Sequence, residues 1–127
     1  AQDIVVNGLE KLEYRGYDSS GIATISNGKL ELSKFKGRLS VLKEHLKKQP
    51  HTGFIGIGHT RWATHGEPSD VNSHPHINES ESVAVIHNGI IENYRSLKAE
   101  LIKEGYKFKS QTDTEVIVHL IDHYLKD

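Results

Sequence analysis

Ser82-Val83-Ala84-Val85-Ile86-His87-Asn88-Gly89 sets four apolar residues side by side and then breaks on Asn-Gly. An uninterrupted apolar run too short for a helix is the pattern of a strand covered on both faces. Asn-Gly can close a hairpin, but the residues after this one turn helical. Asn93 is placed to cap, Tyr94, Leu97 and Leu101 form a stripe, and Gly105 stops it. Asn88-Gly89 therefore ends a strand and leaves a turn at the rim of a buried element.

Working outward, residues 53–60 form another strand, with Phe54, Ile55 and Ile57 interleaved with Gly56 and Gly58. Glycine inside a strand marks close approach by another backbone or a ligand. This strand runs into Arg61-Trp62. Residues 22–25 and 29–35 read as two strands joined by Asn27-Gly28, the strongest short hairpin signal, which argues against an all-parallel sheet. From Arg15 to Gly21 no pattern holds. Residues 3–14 place Ile4, Val5, Leu9 and Leu12 on one helix face with Asp3 as N-cap, and a second helix carries Leu39, Leu42 and Leu46. Toward the C-terminus, residues 106–108 form a short strand and Thr112 to Glu115 has capping-box spacing. The helix that follows buries Val116, Ile117, Leu120, Ile121 and Tyr124. The result is one mixed α and β domain over residues 1–127, large enough for a real core.

Sixteen basic residues against 17 acidic ones give a net charge of -1, so no global field draws the chain to nucleic acid or anionic lipid. No apolar stretch approaches the roughly 20 residues of a membrane span and no signal peptide is visible, so a cytoplasmic protein is expected. Cysteine is absent, which excludes disulfides, thiolate metal sites and a cysteine nucleophile within these residues. Methionine is absent too, and the chain enters a helical pattern directly after Ala1, so something upstream is expected to be missing.

The stretch from His59 to His76 holds the single Trp, two of three Pro and four of nine His, with no apolar run. A segment that gathers such side chains without building a core is there to hold something. If the strands at 53–60 and 82–87 were neighbours in a sheet, three turns would converge: Arg61 to His65, Asn88-Gly89, and Thr112-Asp113. An Arg for a carboxylate, an Asp for an ammonium, and an Asn side chain beside a Gly N–H for a developing oxyanion would recognise an amino acid and polarise its side-chain carbonyl. Bland alternatives stay open: Asp113 as a charge complementing a helix dipole, Asn88-Gly89 as an ordinary turn, Arg61 as a surface ion-pair partner, Trp62 as core. His74 and His76, with His59, His65 or His87, could form a metal site, but no HExxH pattern supports it and neither metal nor cofactor is expected. A Ser-His-Asp hydrolase would need a G-x-S-x-G elbow, which is missing.

Leu12-Glu13-Tyr14-Arg15-Gly16-Tyr17-Asp18-Ser19, His59-Thr60-Arg61-Trp62-Ala63-Thr64-His65-Gly66, His74-Pro75-His76, His87-Asn88-Gly89-Ile90-Ile91-Glu92-Asn93 and Thr112-Asp113-Thr114-Glu115 occur in this order. Together they resemble the glutaminase domain of the glutamine:fructose-6-phosphate aminotransferase (glucosamine-6-phosphate synthase) family of class II glutamine amidotransferases. The resemblance implies an α+β N-terminal-nucleophile hydrolase fold, an αββα sandwich of two antiparallel sheets between helical layers, here without its first strand. It implies that Arg61 holds the α-carboxylate of glutamine and Asp113 the α-ammonium, and that Asn88 and the Gly89 N–H form the oxyanion hole. Thr64 and His65 would line the site, Trp62 would help close it, and Arg15 would lie near the nucleophile. It further implies a homo-oligomeric parent with C-terminal sugar isomerase domains that this chain lacks. In the family the nucleophile is an N-terminal Cys whose α-amino group is the base. These 127 residues contain none, so they are expected to keep the binding loops without hydrolysing glutamine.

Overall fold

Asn27 and Gly28 take positive φ of 51° and 76°, and the turn they make folds β1 (Ser19–Ser26) back onto β2 (Lys29–Lys36), with Ser26 opposite Lys29. The structure, a computed structural model, describes residues 1–12, 18–61 and 69–126. β3 (Ile55–Arg61) pairs antiparallel with the other edge of β1, giving a three-stranded sheet in the order β2-β1-β3. β1 starts at Ser19, three residues earlier than the apolar pattern indicates, because it is the central strand. Ser19 pairs with Lys36 on one side and Arg61 on the other, and it is fully buried.

Side chains alternate across this sheet and so define its two faces. Ile22 points to α1 (Gln2–Leu12) and α2 (Leu39–Lys48), where Leu9, Leu39, Leu42 and Leu46 close a core joined by Val5, Val6 and Phe35. α2 buries the three predicted leucines. α1 is rotated from the expected face, since Val5, Val6 and Leu9 pack inward while Ile4 is 81% exposed. Gly58 explains that rotation: a Cβ there would run into Val5 and Leu9, so its bare α-carbon is what lets the helix lie close. On the same face, His51 bonds Thr24 Oγ1 through Nδ1 (3.0 Å) and Ser33 Oγ through Nε2 (2.8 Å), which satisfies two buried hydroxyls.

The opposite face meets a second, two-stranded antiparallel sheet of β4 (His76–Ile77) and β5 (Ala84–Val85). A Cβ at Gly21 would collide with the His74 carbonyl, so the close approach of the segment before β4 to β1 requires glycine there. α4 (Glu115–Leu125) packs on β4 and β5, and α3 (Tyr94–Lys103) packs on α4. The layers run helices, sheet, sheet, helices. Among the described residues no helix is long and apolar enough to cross a membrane.

Four expectations need correction. The apolar run at 82–87 is not fully covered: only Ala84 and Val85 pair, Val83 to Val85 are half-buried and Ile86 is exposed. Its one sheet partner among the described residues is β4, and a cavity of about 140 Å³ separates Ser82 and Ala84 from Ile55 and Ile57 of the facing sheet. Residues 106–108 form no strand; Phe108 instead turns its ring to His119 (centroids 4.6 Å apart), and Tyr106 packs there too. α4 is rotated accordingly, burying Val116, Val118 and His119 while Tyr124 is 70% exposed. Finally, Thr112 and Glu115 do not form a capping box. The N-cap position of α4 belongs to Thr114, Thr112 Oγ1 bonds His76 Nε2 (2.8 Å), and Glu115 accepts from the backbone N–H groups of Lys109 (2.9 Å) and Ser110 (2.6 Å).

Candidate functional site

β3 and β5 lie in different sheets, yet the C-terminal end of β3 and the turn after β5 meet, because the sheets face one another. At that meeting point lies a cavity of about 410 Å³, within the range of small-molecule sites. Gly58, His59, Thr60 and Arg61 line it from the end of β3; His87, Asn88 and Gly89 from the turn after β5; Thr112, Asp113 and Thr114 from the turn before α4. Leu9 and Leu12 of α1 supply an apolar flank, and His74 completes the wall.

Arg61 and Asp113 are 4% and 6% exposed, which places both charges in a poorly hydrated setting. Burial draws the guanidinium below its ordinary value, while Asp18 and then Asp113 pull the other way. Asp18 is brought to Arg61 by the sheet itself: its N–H donates to the Arg61 carbonyl at 3.0 Å. Asp113 Oδ2 accepts the Ile91 N–H at 2.7 Å, a charge-assisted bond that ties the turn after β5 to the turn before α4.

His59, His74 and His76 are neutral at pH 7. Burial pushes His59 down to about 4, His74 to about 2 and His76 to about 3, with neighbouring positive charge adding to each. The His59 and His74 rings stack at 4.1 Å and His76 meets His74 edge-on at 4.7 Å, so their nitrogens do not converge on a point. Among the described residues no group of three or more His, Cys, Asp or Glu could hold a metal ion.

A second tier of bonds fixes the frame. Asn72 accepts the Gln111 N–H at 2.8 Å and donates to its side-chain carbonyl at 3.2 Å. Lys34, which burial pushes down to about 8, donates to the Ser73 carbonyl at 2.9 Å. The buried Glu115 carboxylate is held to about 2: desolvation opposes ionisation, but bonds from His119, Ser110 and two backbone N–H groups outweigh it. Residues 69–76 are thereby clamped between β2 and the segment leading to Asp113.

The sequence signature described as a glutamine amidotransferase domain matches residues 46–127, which include every one of these cavity-lining turns. The chain belongs to the glutamine amidotransferase domain family. Glutamine--fructose-6-phosphate aminotransferase [isomerizing] of Clostridium perfringens is 62% identical over 126 residues, covering 99% of this chain and 21% of the relative. The enzyme of the same name from Synechocystis is 54% identical over 127 residues, covering 100% of this chain and 20% of the relative. The chain thus spans about a fifth of the length of the curated relatives it matches. Among solved structures, glutamine phosphoribosylpyrophosphate amidotransferase from B. subtilis, complexed with ADP and GMP, superposes with a TM-score of 0.81 at 32% identity, over 96% of this chain and 27% of that one. The amidotransferase domain has the N-terminal-nucleophile hydrolase fold, with its two antiparallel sheets and flanking helices.

Of the residues expected at the site of this amidotransferase domain, Arg61, Asn88, Gly89 and Asp113 all line the one cavity. Arg15, Trp62, Thr64 and His65 lie outside the described residues. His59 and His74, weighed from sequence as metal ligands, line the cavity instead, while Asp18 and Thr114 have no site role in the sequence reading. For Asp18 a signal was available: extending the β1 strand back to Ser19 puts it beside the end of β3. Thr114 was hidden by its place in an apparent capping box.

Proposed function

We propose that these residues form the glutamine-binding part of a glutaminase domain that frees ammonia for amino-sugar 6-phosphate synthesis in a longer, homo-oligomeric enzyme with sugar isomerase domains. The observation that carries this reading is the convergence of Arg61, Asp113, Asn88 and Gly89 on one cavity. Arg61 takes the α-carboxylate, Asp113 Oδ1 takes the α-ammonium while Oδ2 stays on Ile91, and the side-chain carboxamide reaches toward Asn88 and Gly89. There a thiol nucleophile adds to the carbonyl carbon, giving its proton to an adjacent amine. The C=O electron pair moves onto oxygen, where the Asn88 side-chain N–H and the Gly89 N–H stabilise it. Collapse restores C=O, breaks C–N and releases ammonia with that proton; water then cleaves the thioester to glutamate. The 127 residues contain no cysteine, so by themselves they bind glutamine without turning it over.

Calorimetric titration of the chain tests the binding half. L-Glutamine is expected to bind, glutaramic acid, which lacks the α-ammonium, and 4-aminobutanamide, which lacks the α-carboxylate, each at least about tenfold more weakly, as loss of one charged hydrogen bond costs roughly 1.5–3 kcal/mol. Equal affinity for all three would overturn the assignment of Arg61 and Asp113.

A further inference from the structure

We propose that Thr114 is a positioning residue for the Asn88-Gly89 pair, acting through the imidazole of His87. The inference rests on reading that pair as the oxyanion donors. Such donors must stand at hydrogen-bond distance from an oxygen that exists only in the transition state, so their placement has to be built in beforehand. Residues 86–91 lie in neither strand nor helix, and both Asn88 and Gly89 are exposed. What holds this turn comes from other elements. Asp113 holds the Ile91 N–H at 2.7 Å, and Thr114 Oγ1 is hydrogen-bonded to His87 Nδ1 at 3.2 Å.

The Thr114 bond reaches Gly89 by contact. A Cβ placed on Gly89 would sit 3.1 Å from His87 Nε2 and 3.2 Å from Cε1, so the ring lies flush against the bare Gly89 α-carbon. Where the ring turns, Gly89 must follow, and Thr114 fixes the ring. Thr114 is 2% exposed and occupies the N-cap position of α4, yet its hydroxyl makes no capping bond. A threonine there ordinarily turns its oxygen to its own helix. This one serves the neighbouring turn instead, so that one stretch, Asp113-Thr114, sets both the ammonium site and the oxyanion donors.

Thr114→Val removes the hydroxyl, keeps the shape and takes no cap from α4; Thr114→Ser restores the bond. In the 127-residue chain, Thr114→Val is expected to shift the Gly89 amide proton and nitrogen resonances while glutamine affinity stays within about twofold. In the chain carrying an N-terminal Cys, kcat for glutamate release is expected to fall about tenfold or more at unchanged KM, as for a group that matters only in the transition state, and Ser to recover it. An unmoved Gly89 resonance, or a parallel loss of affinity and thermal stability that Ser does not recover, overturns the proposal. Absence of glutamine binding by the unsubstituted chain would instead defeat the functional reading, and the Gly89 resonance would still report whether Thr114 positions the turn.

Discussion

Arg61→Ala is expected to weaken L-glutamine binding at least about a hundredfold, because among the described residues its buried guanidinium is the one group lining the cavity that can fork onto a carboxylate. Removing one member of a desolvated charge pair costs roughly 2–5 kcal/mol, which brackets that factor. The effect should depend on the ligand. 4-Aminobutanamide has no α-carboxylate, so Arg61→Ala should change its affinity by less than about threefold. Arg61→Lys should recover only part of the glutamine affinity, since an ammonium is a point charge without the planar fork. Asp18 and Asp113 would both lose the favourable charge of Arg61 in Arg61→Ala, so circular dichroism must show the variant folded before affinities are compared. Unchanged glutamine affinity in a folded Arg61→Ala chain, or equal losses for both ligands, would remove Arg61 from the carboxylate role.

Acid should unfold the chain well above the carboxylate range. His59, His74 and His76 are held at about 4, 2 and 3 when folded, against about 6.5 in an unfolded chain. Below pH 6.5 the unfolded chain therefore binds protons that the folded chain refuses, and stability falls with pH by up to ~1.4 kcal/mol per unit for each ring. Three rings together approach ~4 kcal/mol between pH 6 and 5, a large part of the 5–15 kcal/mol typical of a domain. His51, also lowered by burial, works in the same direction. Glu115 joins later: its folded value of about 2 lies below the unfolded value, so its contribution is complete above about pH 4.5 and is lost only as pH falls from there toward 2. Urea midpoints at pH 7.5, 6.0 and 5.0 should drop steeply at each step. Flat midpoints, or imidazole protons titrating near 6.5 in the folded chain, would show that these rings are not held neutral by burial.

What could be read from the sequence depended on whether a local pattern had a local cause. Asn27-Gly28 and the Leu39, Leu42, Leu46 stripe set their own geometry and appear as read. Ser19 and Ser20 carry no apolar signal, yet they are buried because strands flank them on both sides, a property of topology and not of the residues. The α4 stripe misled for a related reason. Its inward face is set by His119, which Glu115 bonds and the Phe108 ring packs against, so a polar residue took a core position that hydrophobic periodicity assigns to Ile121 and Tyr124. The two-residue β4 lay inside what read as a polar loop, because its burial comes from the facing sheet. At the site, residue chemistry picked out Arg61, Asn88, Gly89 and Asp113 alongside a blander reading of each, and the structure sets the four around one cavity. Their supports, Asp18 and Thr114, act on them through tertiary contacts that no spacing encodes.

A glutamine site whose nucleophile lies outside these residues is tested most directly by measuring glutamate release from L-glutamine with three purified chains side by side: the 127 residues, the same chain extended upstream to an N-terminal Cys, and that extension with the Cys replaced by Ala. Glutamate is expected from the Cys-bearing chain alone. Glutamate formation by the 127 residues themselves, or at equal rates by the Cys and Ala extensions, would contradict it.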